Sequence, residues 1–398
     1  MSEVVPVTPL TYVEDVWTVA HPEASRTVRQ RENGPYLRPT VPAIAHLVLD
    51  LPGAVAASVD EATQELSRFD TYATTRLGDG ELAPMSAILL RTESASSSHI
   101  EQITAGARQI ALAELGESTA ENANLIVRNT HAMEAALALA DDLDETGILQ
   151  LHSELLADKP EWAGQYRASL VWVGGSKYGP RGASHVGPSH DDVPALMSDL
   201  VTFLRRSDLP PLVQAAIAHA QLETIHPFSD GNGRAGRALV HAVLRHSGIV
   251  ARATAPVSAG LLRDTEGYFD ALTSYRAGDA APIIETFAAA SRFAARSGVE
   301  LVDELHTQVL LSAESLEGIR SDAAAHRVIP LLVGQPIVTV KFLRDALRLP
   351  ERAAFRAVET LMERGVLQER SGRARGRVYQ HAGILGVLDD YAAELRRR

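Results

Sequence analysis

The sequence predicts a mostly α-helical protein with one small β-hairpin, an N-terminal helical region and a basic C-terminal part of short helices and strands. Three observations predict it. Apolar residues recur at helical spacing along most of the 398 residues. Only two short runs, Leu170–Gly175 and Ile337–Val340, have the β-branched or aromatic character of strands. From Ser321 the charge changes sign, with eleven basic against six acidic residues over 321–380 in a chain of net charge −12.

The elements follow in order. Residues 1 to about 40 are Pro-, Thr- and charge-rich with weak periodicity, and are expected to lie as an arm on the surface. From Ala43 to Gln109 the pattern is helical: Ala62, Leu66 and Phe69 share a face, Gly78-Asp79-Gly80 breaks it, and Met85–Leu90 resumes it. Residues 121 to about 160 read as helices interrupted at Glu145-Thr146-Gly147, with His152 a packed or surface residue rather than a ligand. Leu170–Gly175 enters a hairpin and Ser184–Pro188 returns from it, leaving Lys177 as a solvated loop residue. Pro194 opens a helix towards Leu204. Pro210-Pro211 opens another, with Leu212, Ala216, Ala220 and Leu222 at helical spacing. Ala235, Leu239, Ala242 and Val243 continue the period to a C-cap at Ser247-Gly248. A helix with Phe287 and Phe293 closes near 298, and 299–320 reads as a connecting helix.

Between the two central helices lies Ile225-His226-Pro227-Phe228-Ser229-Asp230-Gly231-Asn232-Gly233-Arg234-Ala235-Gly236-Arg237. Gly231 and Gly233 permit a sharp turn and close approach of a ligand. A loop of N–H groups running into a helix N-terminus attracts anions. Arg234 and Arg237, three apart, share a face there. Two cations at that end oppose the helix dipole unless an anion sits between them. Arginine binds phosphate bidentately. Asp230 is the hard oxygen ligand that Mg²⁺ takes together with phosphates. His226 has an unperturbed pKa near neutrality and can serve as a base. The parts suggest a nucleotide phosphate site with a built-in proton acceptor.

This segment resembles, at every fixed position, the Fic family signature His-x-Phe-x-Asp/Glu-Gly-Asn-Gly-Arg-x-x-Arg. The resemblance implies a Fic helical core that transfers AMP from ATP to a hydroxyl side chain of a target protein. It implies His226 as the base, Asp230 as the Mg²⁺ ligand, Gly231, Asn232 and Gly233 as the phosphate cradle, and Arg234 and Arg237 on the phosphate oxygens. It also implies that the 170–188 hairpin is a flap registering the target by strand addition. Gly267–Arg276 is similar to the family's adenine-side helix, where Tyr268 or Phe269 would wall the base or simply pack in the core. Gly233, where kinase-type relatives carry lysine, favours AMP transfer; removal of AMP stays open.

Ser97 to Gln102 has two readings. In one, Ser98 and Glu101 form a helix-capping box. In the other, the stretch resembles the family's inhibitory helix, Ser/Thr-x-x-x-Glu-Gly/Asn. Ser97 and Glu101 then fall on its fixed positions, Glu101 would pair with Arg237 and block productive ATP binding, and Gln102 departs from the usual Gly or Asn.

Beyond Ser321, a strand at Ile337–Val340, a helix with Phe342, Leu343, Ala346 and Leu347, and a second helix starting at Pro350 with Phe355, Val358, Leu361 and Met362 inward resemble a winged helix-turn-helix. Val366–Arg370 and Arg377–Gln380 would form its wing around Ser371-Gly372. Arg352, Arg356, Arg373, Arg375 and Arg377 could meet a DNA backbone, but Glu351, Glu359 and Glu363 favour packing or a homodimer over DNA. The alternative class is therefore a DNA-binding regulator with a nucleotide-sensing domain, which has no need of His226.

The whole chain sets bounds. At 45% hydrophobic and 22% charged it is globular, and its acidity argues against coating nucleic acid. With no cysteine it has no disulfide or thiolate metal site. Neither a signal peptide nor a membrane span is expected, so the expected location is cytoplasmic. The expected divisions are 1–115 with the inhibitory helix, 116–298 as catalytic domain, 299–320 as connector and 321–398 as winged helix.

Overall fold

A computed structural model describes residues 4–76, 82–140, 143–370 and 377–395. The break expected at Gly78-Asp79-Gly80, the turn at Ser371-Gly372, and Arg373 and Arg375 lie outside the described residues. The fold is mostly helical, with three small antiparallel sheets among the described residues. It divides into two compact units, each assembled from non-consecutive segments, which cut across the four successive divisions read from the sequence.

The first unit holds residues 1–61, 131–247 and 265–288. Its N-terminal segment is not an irregular arm. Thr11–Trp17 pairs antiparallel with Gly34–Thr40, from Thr11 opposite Thr40 to Trp17 opposite Gly34. The helix Arg26–Glu32, capped by Ser25, joins the two strands. Most of this ribbon is exposed, so it lacks the apolar alternation that announces a strand. It is tied down by the Trp17 indole N–H, which donates to Tyr178 O at 2.8 Å, and by Leu10 N to Arg276 O at 3.0 Å.

At the centre lies the helix Pro211–Ile225, with Pro210 as its cap and every residue from Leu212 to Ile225 buried. A helix buried on all sides is the core of its unit. Helices Glu145–Leu155, Val193–Leu204, Asn232–His246 and Thr265–Arg276 belong to the same unit. The expected break at Glu145-Thr146-Gly147 is instead a helix start: Asp144 caps it by accepting from Gly147 N at 2.7 Å. Trp172–Val173 pairs with His185–Val186 as the expected hairpin, in two residue pairs.

The second unit holds 62–130, 248–264 and 289–398. Leu82–Ile100 is one helix. The expected boundary at 298 is absent, because Ala281–Glu314 is a single helix through Gly298. Ala324–Gly334, the strand Ile337–Val338, and helices Val340–Leu347 and Glu351–Glu363 follow. Tyr379–Gln380 lies between Ile337–Val338 and Gln368–Glu369 in a three-stranded sheet, and Ala382–Glu394 completes the chain's helices. Pro350 is the cap of Glu351–Glu363, one residue ahead of the expected first helical position. Phe355 and Met362, expected inward, are 45% and 37% exposed; Ala354, Ala357, Val358 and Leu361 form the buried face. This C-terminal part is not free-standing. Arg91 donates to Gly334 O at 2.7 Å, Gln335 to Ala111 O at 2.8 Å, and Ile337, Val378 and Leu385 share a core with Ala111 and Leu112.

Candidate active site

The motif occupies the turn from Pro211–Ile225 into Asn232–His246, as the helix–loop–helix pattern predicts. His226 ends the first helix in a left-handed conformation, φ 50° and ψ 60°, with its N–H on Leu222 O at 2.8 Å. A helix leaves its last carbonyls without intrahelical partners, at the negative end of its dipole. Here side chains from three segments take them up. Arg276 donates to Glu223 O at 3.1 Å, and His185 Nε2 donates to Thr224 O at 2.9 Å. Arg167 donates to Ile225 O at 3.4 Å and His226 O at 2.8 Å. Arg167 also holds Pro188 O and Ser169 O, while its own N–H binds Pro227 O at 3.0 Å. Burial draws the Arg167 pKa down to about 10, which leaves it charged at neutral pH. Burial and the nearby Arg276 and His226 push His185 well below the usual histidine range, so it acts here as a neutral donor.

The His226 imidazole is mostly buried. Its Nδ1 lies 3.3 Å from Glu223 O and 3.6 Å from Glu223 Oε2. Phe228 is fully buried and stacks on His152 with ring centroids 3.7 Å apart. His152 accepts from Gly164 N at Nδ1 and donates from Nε2 to Asp230 O at 3.0 Å, which fixes one neutral tautomer. Burial holds its pKa below the ordinary value. It is thus a packed residue that shapes the loop.

Asn232 closes the turn. Its amide donates to Phe228 O and accepts from Phe228 N, both at 2.9 Å. Its side chain is engaged within the loop rather than held ready for a ligand. Gly231 sits at φ 77°, and a Cβ there would meet Leu155 Cδ2 at 2.8 Å, so glycine is required on two counts. The first intrahelical bond of the second helix runs from Ala235 N to Gly231 O. The N–H groups of Asn232 and Gly233 therefore precede the helical ladder. Arg234 and Arg237 are 2% and 3% exposed, two buried guanidiniums at a helix N-terminus.

Asp230 accepts from Gly231 N at 2.7 Å and Arg234 at 3.3 Å through Oδ1, and from Lys159 Nζ at 2.8 Å through Oδ2. Burial works to raise its pKa, but Lys159, Arg234 and the Gly231 N–H outweigh it and hold the carboxyl below its ordinary value. Among the described residues no group of three or more His, Asp or Glu is placed to hold a metal. One ionised, 36% exposed carboxylate beside a phosphate-type cradle nonetheless fits Mg²⁺, which keeps waters and completes its shell with phosphate oxygens.

The remaining expected residues lie on other elements. Tyr268 is 1% exposed and its hydroxyl is 2.6 Å from His219 Nε2, so its ring is core; Phe269 beside it is 50% exposed. Burial takes that His219 down to about 4. Ser97 and Glu101 belong to the second unit. Ser97 is buried, and Glu101 follows Ile100 at the helix end. Gln102 N donates to His99 O and Ile103 N to Ser98 O, with Gln102 at φ 64°: a Schellman C-cap. The capping-box reading is therefore corrected, since Ser98 lies in the last turn of a helix rather than before the first.

No local pattern marks Lys159, Arg167, His185 or Arg276, whose partners around the motif lie 39 to 71 positions away. Glu223, three before His226, was findable from its i,i+3 spacing.

The fold and this turn define a helical protein with a cationic helix N-terminus beside a histidine. Residues 142–244 match the Fic/DOC family, a span that contains the whole motif. The chain is 31% identical over 160 residues to protein adenylyltransferase Fic of Nematostella vectensis, covering 39% of this chain and 32% of that protein. It is 36% identical over 118 residues to protein adenylyltransferase Fic of Drosophila yakuba, covering 29% and 22%. The chain thus spans about a third or less of the length of these curated relatives. The crystal structure of a Fic family protein from Desulfovibrio desulfuricans G20 superposes with a TM-score of 0.54 at 24% identity, over 83% of this chain and 97% of that one, so the fold is shared. No helix among the described residues is long and apolar enough to cross a membrane.

Proposed function

We propose that this chain is a protein adenylyltransferase, moving AMP from ATP to a Ser, Thr or Tyr hydroxyl of a target protein in the cytoplasm. The observation that carries the reading is the pair of buried guanidiniums, Arg234 and Arg237, at the start of the helix Asn232–His246, on the same turn as His226. A helix N-terminus attracts phosphate, and arginines beside it can meet phosphate oxygens with a bidentate fork, so a nucleotide tail suits this turn. The likeness of residues 142–244 to the Fic/DOC family supports the assignment.

In the proposed step His226 takes the hydroxyl proton as the O–H bond breaks, and the oxygen forms a bond to the α-phosphorus. The bond to the β-phosphate oxygen breaks, and pyrophosphate leaves with the electron pair. Arg234, Arg237 and the leading N–H groups of the second helix orient the phosphates. Asp230 would hold Mg²⁺, which when bound neutralises phosphate charge. Phosphoryl-type transfer depends on such positioning and charge neutralisation more than on covalent chemistry.

Glu101 is assigned as the inhibitory carboxylate, as the likeness of Ser97–Gln102 to the inhibitory helix implies. Its place at the C-terminal cap of Leu82–Ile100 suits a residue held by its helix. The 321–398 segment is assigned as a winged helix serving packing or dimer contacts. Incubation of wild type, Glu101→Gly and His226→Ala with α-labelled ATP and a cell lysate tests the reading. Label on proteins should rise with Glu101→Gly and vanish with His226→Ala. Label that persists without His226 overturns the mechanism, and no rise with Glu101→Gly removes the inhibition.

A further inference from the structure

The last turn of Pro211–Ile225 is held rigidly, and that rigidity aims His226. Arg167 grips the His226 carbonyl, while Arg276 and His185 grip those of Glu223 and Thr224. With its backbone fixed at φ 50°, the imidazole folds back over the turn and presents Nδ1 to residue 223. Two acceptors meet Nδ1 there, the main-chain O of Glu223 at 3.3 Å and its carboxylate Oε2 at 3.6 Å. The two side chains are 16% and 11% exposed, so little water screens the pair. The charged or titratable groups facing His226 from other elements are His185, 6.2 Å away between ring centroids, Arg167 from the segment before the hairpin, and Arg276 from Thr265–Arg276. Among the described contacts of Nδ1, Glu223 supplies the carboxylate.

We propose that Glu223 is a positioning residue for His226. Its carboxylate and carbonyl keep the proton on Nδ1, leave the Nε2 lone pair as the proton acceptor, and stabilise the imidazolium formed when the hydroxyl proton arrives. A general base works best when its tautomer is fixed and its charged form is stabilised nearby. The inference rests on His226 being the base, and it gives a pH signature that a purely structural glutamate lacks.

The test is ¹⁵N-histidine NMR of the full chain, wild type against Glu223→Gln and Glu223→Asp, with the labelled-ATP assay in parallel on Glu223 and the same substitutions in the Glu101→Gly background. In the wild type at high pH, His226 should be the Nδ1–H tautomer. Glu223→Gln removes the negative charge and should lower the His226 pKa, moving the acid limb of kcat to lower pH. It should also cut kcat by about tenfold or more, within the range ascribed to general-base catalysis, with KM for ATP unchanged. Glu223→Asp keeps the charge and should restore part of both. An Nε2–H tautomer in the wild type, which needs no variant to observe, overturns the proposal; so does a His226 titration that Glu223→Gln leaves in place. If the tautomer and shift are as expected but no label is transferred even in the Glu101→Gly background, the adenylyltransferase reading fails while the Glu223–His226 coupling stands.

Discussion

At the scale of single residues, three left-handed positions show how one conformation serves different ends. Gly231 cannot bear a side chain, because Leu155 fills the space where a Cβ would go. His226 bears its side chain at φ 50° because three neighbours hold the carbonyls around it. Gln102, at φ 64°, is the C′ residue of a Schellman motif, where glycine is favoured because it has no Cβ to crowd the following carbonyl. Gln102→Gly should therefore raise stability by about 1 kcal/mol, read as a higher denaturant midpoint at unchanged slope. An unchanged or lower midpoint would show that the glutamine side chain compensates its own strain. The same site explains a misreading. Ser98 and Glu101 fit a capping-box pattern because such patterns are local. The helix that decides the matter begins far upstream, at Leu82, and its last turn already contains Ser98.

At the scale of elements, periodicity and turn residues made the helix–loop–helix around His226 legible, and the β-branched and aromatic run Leu170–Gly175 made the first hairpin strand legible and its return at Ser184–Pro188 expected. What the pattern could not show is how the central helix ends. Its terminal carbonyls are satisfied by Arg167, His185 and Arg276, and a sequence window sees none of these together. Lys159, which meets Asp230, escaped for the same reason. Arg167 carries the most of this work, with donors to four carbonyls and 3% exposure. Arg167→Met keeps much of the volume but strands those carbonyls in a buried setting. Charge-assisted hydrogen bonds contribute about 1.5–3 kcal/mol each and do not add fully, so a loss of roughly 3 kcal/mol or more is expected. Urea unfolding checks it, and a loss under about 0.5 kcal/mol, the scale of an ordinary surface substitution, would mean that water replaces the guanidinium.

At the scale of the whole molecule, the chain's linear order and its compact units disagree. The second unit is closed by segments that start at residues 62, 248 and 289, and no composition shift marks such a unit. Two glycines show how its segments meet. A Cβ on Gly260 would stand 2.5 Å from the Cα and carbonyl oxygen of Ala290, and one on Gly298 would stand 2.7 Å from the Phe69 ring. The neighbours differ in what they can give. A phenylalanine ring can tilt within its packing, whereas the main chain of Ala290 is fixed inside the helix Ala281–Glu314. Overpacking of a close contact costs about 1–3 kcal/mol, with backbone displacement at the upper end. Against this, Gly→Ala within a helix returns roughly 0.5–1 kcal/mol of backbone entropy. Gly298→Ala should therefore fall near neutral or cost about 1 kcal/mol. Gly260→Ala should lose about 2 kcal/mol or more, giving the lower melting temperature of the two. Equal melting temperatures would show that the helix Val257–Leu262 shifts freely, and that the close approach of Gly260 to Ala290 does not hold these segments together.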